Sequence, residues 1–212
     1  KMGNMLSYAE AEEKVVDQTV KKYIYGWKRD LPDTRDRVRD FYKHYLSNKL
    51  FLKHEKISDT TKIPHTVDLR SQCPSILNQG HLGSCTANAM SNAFRFDEMK
   101  QGNPDVFIPS RLFLYYNERA MEGHTSSDTG AAVRDGMKSM NASGMCDEKN
   151  WVYDISKFTE KPPQSCYDFA KNHKSIKYQR VLQRELQMKA ALASGYPIVF
   201  GFTVYQSFEG ED

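Results

Sequence analysis

Asn78-Gln-Gly-His-Leu-Gly-Ser-Cys-Thr-Ala-Asn-Ala89 is the most informative stretch of this sequence. Its glycines and serine, followed by helix-forming residues, predict a loop that delivers Cys85 to the N-terminus of a helix. Unpaired backbone N–H groups and the positive end of the helix dipole favour the thiolate there, and the thiolate is the reactive form of cysteine. Gln79 can fold back so that its amide N–H and the Cys85 backbone N–H converge on one point, as the donors of an oxyanion hole do. The stretch therefore indicates an activated nucleophile; a buried cysteine that merely begins a core helix, with Gln79 as an ordinary loop amide, is the competing interpretation.

Helical patterns dominate the rest of the chain. A capping box and an apolar stripe predict a first helix within residues 7–25, and a second is expected from about residue 33, ahead of a polar linker over 48–62. Further helices are predicted, in chain order, over residues 85–99, 110–121, 128–144 and 182–193, with residues 151–166 as a loop. Residues 197–205 form a continuous apolar, β-branched and aromatic run, which predicts a buried strand.

Composition and charge exclude several classes of protein. The 212 residues are 39% hydrophobic and 27% charged, with a net charge of +3, and the 14 Lys/Arg of residues 1–62 are diluted by 10 Asp/Glu. This mild basic surplus does not favour a nucleic-acid partner, and no run approaches the ~18 apolar residues of a membrane span. Four cysteines without a C-x-x-C pair give no support to a zinc site. We therefore expect no metal, no cofactor, no nucleic acid and no membrane segment; with no signal peptide visible, the compartment stays open.

Several motifs resemble the papain/cathepsin family of cysteine proteases. Gln79-Gly-x-x-Gly-Ser-Cys85 resembles the family's active-site signature, and Val67-Asp-Leu-Arg70 the start of its mature chain. Asp128-Thr-Gly-Ala-Ala132 resembles its glycine-rich substrate-binding loop, and Gly195-Tyr-Pro-Ile-Val199 the strand that begins its β-lobe. The matches occur in family order over residues 63–212 and are most similar to a divergent branch that carries Gln-Gly-x-Leu-Gly-Ser-Cys-Thr. Tyr-Gly-Trp at 25–27 and Asp-Leu-Pro-Asp at 30–33 resemble the segment ahead of the protease domain in that branch.

The resemblance implies an α+β fold of two lobes and a set of site residues. Residues 63–175 would form the helical lobe and 176–212 the start of an incomplete β-lobe, preceded by a helical, propeptide-like region at 1–62. The family's roles, carried over residue by residue, make Cys85 the nucleophile, Gln79 the oxyanion donor, Gly130 the residue that binds the substrate backbone, and Ala131, Ala132 and Gly201 the lining of the main specificity pocket. Small residues in that pocket imply a roomy, apolar subsite for a peptide substrate.

Two positions depart from the family pattern. Leu82 stands where the family usually has a cysteine, and Thr86 where it has an aromatic residue. The loop at 126–129 also lacks the cysteine that would complete a disulfide, so we expect that bridge to be absent altogether. Whether Cys146 and Cys166 pair with each other, and the state of Cys73, stay open.

The catalytic base implied by the resemblance is missing. A histidine that accepts the thiol proton, oriented by an asparagine, is expected ~130–150 residues beyond the nucleophile. Only residues 86–212, which are 127 positions, follow Cys85. A histidine close in sequence, His81, would more naturally face solvent or the cleft entrance. We therefore expect the base on a C-terminal segment or on a second chain.

The function expected from this resemblance is peptide-bond hydrolysis through a Cys85 thioester, in a protein made as a zymogen. Activation would require cleavage between about residues 48 and 63, although a helical extension that never leaves is an equal alternative for residues 1–62. A catalytically inactive homologue that binds peptides or a partner protein in the same cleft is the rival hypothesis. A transferase or amidase with the same Cys–His chemistry also stays open.

Overall fold

The computed structural model describes residues 24–31, 33, 36, 40–53, 63–175 and 177–208. Within this part of the chain the helices are α1 (Phe41–Lys53), α2 (Cys85–Lys100), α3 (Arg111–Glu122), α4 (Val133–Ala142), α5 (Gln164–Ala170) and α6 (Glu185–Ala193). Short 3₁₀ turns lie at Arg70–Gln72, Ile155–Lys157 and Gln206–Phe208. Two strands, β1 (Trp27–Lys28) and β2 (Ala131–Ala132), pair in parallel, with Trp27 opposite Ala131 and Lys28 opposite Ala132.

Helices α2, α3 and α4 pack on one another around the main core. Helix α3 begins as the sequence predicts, because the Ser110 side chain accepts a hydrogen bond from the Phe113 N–H, and it ends where Gly123 adopts the left-handed conformation at φ 77°. Ala87 and Met90 of α2 meet Leu114 of α3 in this core, all without exposed surface. Full burial of such side chains stabilises a fold by ~1.5–3 kcal/mol each. The core therefore fixes the N-terminus of α2, where Cys85 lies.

Helix α1 packs on α6 around a second, smaller cluster. Its buried members are Phe41, Tyr45, Ala190 and Ala191. The helix begins at Phe41 rather than near residue 33, because Asp40 caps it: the Asp40 Oδ1 accepts from Lys43 N at 3.1 Å. It continues to Lys53, so the first part of the predicted linker is helical. The predicted first helix lies outside the described residues except for positions 24 and 25, which are not helical.

Two other predicted boundaries are wrong for physical reasons. Helix α4 begins at Val133, not at residue 128, because the Asp128 carboxylate accepts hydrogen bonds from the Gly83 N–H instead of capping a helix. The predicted loop at 151–166 contains a 3₁₀ turn and the start of α5, which follows Pro163 at its N-cap position. The prediction for α6 holds, although the helix begins at Glu185 rather than near 182.

The run 197–205 is not a buried strand in this structure. No described residue pairs with its backbone in a ladder, and Phe200 and Phe202 are 71% and 48% exposed. An apolar, β-branched composition favours a strand only where neighbouring strands supply hydrogen bonds and cover both faces. Val199 and Ile198 are partly buried against the first and second core clusters, and the ring of Trp27 lies against Gly201.

Candidate active site

Cys85 is the first residue of α2, and its side chain is partly buried. Ser84 occupies the N-cap position, but its side chain makes no capping hydrogen bond. Instead the Ser84 Oγ lies 2.6 Å from the Tyr153 hydroxyl and accepts from the Asn88 Nδ2 at 3.0 Å. The sulfur therefore lies at the positive end of a helix whose first backbone N–H groups have no capping side chain.

The surroundings of the Cys85 thiol nevertheless favour its neutral form. Burial raises the pKa of this thiol, and the negative charge of Glu118 acts in the same direction. The backbone N–H groups of Gly26 and Thr86 face the sulfur and lower its pKa, but they do not outweigh burial. The ionised sulfur expected from the helix N-terminus alone is thus disfavoured while a segment of the chain's own N-terminal part covers it.

Hydrogen bonds from a buried arginine and a tyrosine support the loop that carries Gln79. The Arg111 Nη1 donates to the Asn78 carbonyl at 2.9 Å, and the Arg111 guanidinium lies 3.8 Å from the centroid of the Tyr153 ring. The Tyr153 hydroxyl donates to the Gln79 carbonyl at 2.9 Å. Neither residue was predicted from the sequence. A tyrosine that packs its ring usually finds a partner for its hydroxyl, and this is the one signal that could have pointed to the half-buried Tyr153.

Gln79 points at the N-terminal segment. Its Nε2 donates to the Ile24 carbonyl at 2.8 Å and to the Leu82 carbonyl at 3.0 Å. The side-chain amide expected to steady a substrate carbonyl therefore already holds a carbonyl of this chain. Gly26, two residues further on, passes over the sulfur of Cys85.

The predicted substrate-binding loop holds the same segment. The Ala131 N–H donates to the Gly26 carbonyl at 2.8 Å, which precedes the parallel pairing of β1 with β2. Gly130 has φ 68°, and a Cβ at that position would lie 2.0 Å from the Gly26 oxygen. Glycine is thus required there both by the backbone conformation and by the close approach of the segment.

The indole of Trp27 lies against Gly201, where a Cβ would be 2.0 Å from the ring atom Cε2. Trp27 is also the partner of Ala131 in the strand pair, and Ala132 is opposite Lys28. The structure therefore brings the six predicted site residues together along one stretch of chain, residues 24–28.

No histidine takes the place of the expected base within the part of the chain that the structure describes. No described histidine forms a hydrogen bond with the Cys85 sulfur; His81 and His124 are exposed, and His173 stacks on Phe169 with centroids 4.5 Å apart. Among the same residues, no group of three or more His, Cys, Asp or Glu is arranged to hold a metal ion. Nor is any helix there both long and apolar enough to span a membrane.

A cysteine at a helix N-terminus, a glutamine loop before it and a glycine-bearing loop beside it define the helical lobe of a papain-like α+β protein. No protein-family model matches the sequence. An uncharacterized peptidase C1-like protein of Acanthamoeba polyphaga mimivirus is 43% identical over 204 residues, which cover 89% of this chain and 64% of the relative. The crystal structure of xylellain, a cysteine protease from Xylella fastidiosa, superimposes with a TM-score of 0.68 at 36% identity, covering 81% of this chain and 63% of xylellain.

A third likeness, to the proform of the ragweed pollen cysteine protease Amb a 11, has a TM-score of 0.49 at 21% identity and covers 70% of this chain and 47% of that one. The chain spans just under two thirds of the length of the mimivirus protein and of xylellain. The resemblance of the sequence motifs to papain-like cysteine proteases is confirmed, and the chain has the α+β fold of those proteins.

Proposed function

We propose that this chain supplies the nucleophile, the oxyanion donor and the substrate-binding loop of a papain-like cysteine peptidase, in a latent form. The observation that carries this proposal is a stretch of peptide, residues 24–28, bound by the site itself. Its carbonyls accept from Gln79 and Ala131, and its Gly26 N–H faces the Cys85 sulfur. A cleft that holds an extended peptide backbone by these groups is suited to a peptide substrate.

The chemistry follows from the positions of these groups once the segment has left. The Cys85 thiolate attacks the carbonyl carbon of a peptide bond, and the oxygen takes up negative charge. The Gln79 Nε2 and the Cys85 backbone N–H then donate to that oxygen. The amine leaves with a proton, a thioester remains on Cys85, and water hydrolyses it. The histidine that takes up the thiol proton and passes it on, and the asparagine that orients it, would come from a C-terminal segment or a second chain.

The specificity pocket is proposed to accept a large apolar side chain. Trp27 already lies over Gly201 and beside Ala131, so the space between these small residues fits an aromatic ring. The same small residues are the reason that the sequence predicts a roomy apolar subsite. A substrate residue of that kind would displace Trp27 when the segment departs.

Latency is proposed to arise because the segment occupies every element of the site at once. The Ile24 carbonyl occupies the side-chain amide of Gln79, which is the proposed oxyanion donor. Gly26 covers the Cys85 sulfur, and burial raises the pKa of that thiol. Ion pairs join this region to the helical lobe, between Lys28 and Glu122 and between Asp36 and Arg134. Because a helix resists proteolysis and α1 continues to Lys53, activating cleavage is proposed between the end of α1 and residue 63, a narrower window than the sequence alone allowed.

The rival, an inactive homologue that binds peptides, predicts a different outcome in one labelling experiment. The full-length protein, before and after removal of its N-terminal region, is treated with a peptidyl vinyl sulfone at mildly acidic pH, and labelled peptides are quantified by mass spectrometry. We expect one label per molecule, on Cys85, after removal of the region and little before it. Cys85→Ala should abolish the label, and Cys73→Ser, which removes an exposed cysteine, should not. Equal labelling of all four cysteines, or a most active species whose N-terminal sequence still begins at Lys1, would contradict the proposed zymogen.

Asp36→Asn is expected to loosen the segment. The Asp36 carboxylate bridges Arg134 and Arg180, each at 2.8 Å, and its hydrogen bond with Arg134 is the main reason that its pKa is lowered. A lowered pKa means that the stabilisation is present above the ordinary value of 3.8 and is lost as pH falls through the lower folded-state value. At neutral pH the variant should therefore alkylate Cys85 faster, by roughly 3- to 10-fold for a pair worth ~1 kcal/mol.

The matched control for this change is Asp168→Asn. Asp168 also has a lowered pKa, from its contact with Lys171, but it lies on the exposed surface of α5, away from the segment. Alkylation of Cys85 at the same rate in both variants would show that the Asp36 bridge does not hold the segment in place.

A further inference from the structure

The loop before Cys85 and the glycine-rich loop lie side by side without a covalent link. Leu82 and residues 126–129 carry no cysteine, so the bridge that the family resemblance would place here cannot form. The backbone N–H of Gly83 instead donates to the Asp128 carboxylate, 3.1 Å from Oδ1 and 2.9 Å from Oδ2. A charged acceptor on a backbone N–H is among the stronger hydrogen bonds available in a protein.

Tyr115 of α3 continues this contact to the residue proposed to bind the substrate backbone. Its hydroxyl donates to the Asp128 Oδ1 and accepts from the Gly130 N–H at 3.1 Å. The side chain has no exposed surface. Burial, together with the neighbouring carboxylate, raises the pKa of Tyr115, so the hydroxyl stays a neutral donor at any pH the enzyme would meet.

The resulting hydrogen bonds converge on the Asp128 carboxylate from two sides. They run from the Gly130 N–H to the Tyr115 oxygen, from the Tyr115 O–H to Asp128, and from the Gly83 N–H to the same carboxylate. Every donor has an acceptor, and chains of this kind strengthen one another in a buried setting. The two backbone groups at the ends of this network belong to the two loops that make up the site.

Arg119, also on α3, holds the loop that carries Asp128. Its Nη1 donates to the carbonyls of Thr125 and Ser127 at 2.9 and 3.0 Å, and its guanidinium lies 4.2 Å from the centroid of the Tyr115 ring. Arg119 has no exposed surface either. Asp128 is therefore presented to Gly83 from a fixed loop, which distinguishes this contact from a chance surface pairing.

We propose that Asp128 and Tyr115 are positioning residues that replace the missing disulfide, by setting the nucleophile loop through Gly83 and the substrate-binding loop through Gly130. We call this set the Asp128–Tyr115 clasp. The inference deepens the proposed function and rests on it for its effect on catalysis. Unlike a disulfide, the clasp is not broken by the reducing conditions that keep a nucleophilic thiol free.

Two substitutions separate the two ends of the clasp. Tyr115→Phe removes the acceptor of the Gly130 N–H and one donor to Asp128, while the ring still fills the core and the Gly83 N–H keeps its bonds to the carboxylate. In the activated full-length enzyme KM should therefore rise about 3- to 10-fold with kcat nearly unchanged. Asp128→Asn replaces one acceptor oxygen by a donor that opposes the Gly83 N–H or the Tyr115 O–H. It should lower kcat about 10- to 100-fold, because the nucleophile loop shifts. In the double variant the loss of kcat/KM should be smaller than the product of the two single losses.

Tyr167→Phe is the matched control. Tyr167 of α5 is a half-buried tyrosine whose hydroxyl donates to the Asn117 Oδ1 at 3.1 Å, away from both loops. It should change thermal stability without changing KM or kcat. If the Tyr115 and Asp128 variants change KM and kcat by equal factors, or only as the control does, the clasp has no positioning role.

Amide exchange measured by NMR tests the clasp without any activity. In the unprocessed protein, Tyr115→Phe should speed exchange of the Gly130 amide by at least ~10-fold and leave the Gly83 amide protected. Asp128→Asn should instead speed exchange of the Gly83 amide more than that of the Gly130 amide. Unchanged exchange at both amides would overturn the clasp. A wild-type enzyme that hydrolyses no peptide would overturn the proposed function instead, and the two failures are thus distinguishable.

Discussion

Gly26→Ala is expected to raise the rate of Cys85 alkylation at pH 7 by about 10- to 100-fold, because it expels the segment that covers the thiol. A Cβ at Gly26 would lie 1.7 Å from the Gly83 carbonyl oxygen, and 2.4 Å from its carbon. Both atoms are backbone atoms of the loop that ends at the nucleophile, so neither can turn aside as a side chain would. The segment must move outward instead.

The sign of the effect follows from the cause of the pKa shift. Burial raises the pKa of the Cys85 thiol in the covered state. Removal of the cover restores water and lowers that pKa, and each unit of lowering gives about tenfold more thiolate at a pH below the pKa. The alkylation profile against pH should therefore shift to lower pH, and its plateau should rise because the reagent reaches the sulfur.

The measurement is the rate of iodoacetamide alkylation of Cys85 from pH 5 to 10, resolved by peptide mass spectrometry. Gly102→Ala is the matched control, since a Cβ there meets nothing within 4 Å, and its φ of 69° adds only a backbone strain that is unrelated to the segment. If Gly26→Ala and Gly102→Ala give the same profile, the segment does not gate the thiol.

The site residues were within reach of sequence reasoning because they lie in short, continuous motifs. The loop before Cys85 and the capping serine of α3 each have a local chemical signal that a single sequence carries, whereas Gly130 was proposed only from the family resemblance. Helices α2, α3 and α6 were predicted for the same reason. Their boundaries depend on caps and apolar periodicity within one element.

The contacts that make the site latent were beyond such reasoning. The pairing of Trp27 with Ala131 joins residues about one hundred positions apart, and β1 is too short for any alternation pattern to appear. Aspartate is a common helix-capping residue, so the sequence predicted a helix start at Asp128 and not a contact between two loops. Its actual partners, Gly83 and Tyr115, come together only once α3 has packed. Local patterns predict elements, whereas long-range hydrogen bonds decide how the elements meet.

The departure at Thr86 leads to a buried carboxyl group behind the nucleophile. Where the family usually has an aromatic residue, the Thr86 Oγ1 donates to the Glu118 Oε2 at 2.9 Å. Glu118 has no exposed surface, and within the described part of the chain no donor forms a hydrogen bond with its Oε1. Burial raises the pKa of Glu118 to about 8, and the charges of Glu122 and Asp135 add to the effect against the opposing contributions of Thr86 and Arg119.

Glu118→Gln is expected to stabilise the protein increasingly as pH rises. A carboxyl whose folded-state pKa of about 8 exceeds its ordinary 4.5 contributes its full stability below 4.5 and loses it as pH rises through 8. The uncharged glutamine has no such loss, although its amide leaves one buried donor unpaired at a cost of ~1–3 kcal/mol. The variant should thus be equal or less stable at pH 5 and more stable at pH 8, a relative change on the order of 3 kcal/mol in the free energy of unfolding.

Urea unfolding at pH 5 and pH 8 measures this change in relative stability, with Glu185→Gln as the control. Glu185 is exposed and pairs with Lys189 one helical turn away, so its replacement should shift both curves by well under ~1 kcal/mol. Because the Glu118 charge also raises the pKa of the Cys85 thiol, the Glu118 variant should in addition alkylate faster above pH 8. If the stability difference between variant and wild type is the same at both pH values, Glu118 does not titrate inside the folded protein. Its charge would then not raise the pKa of the Cys85 thiol.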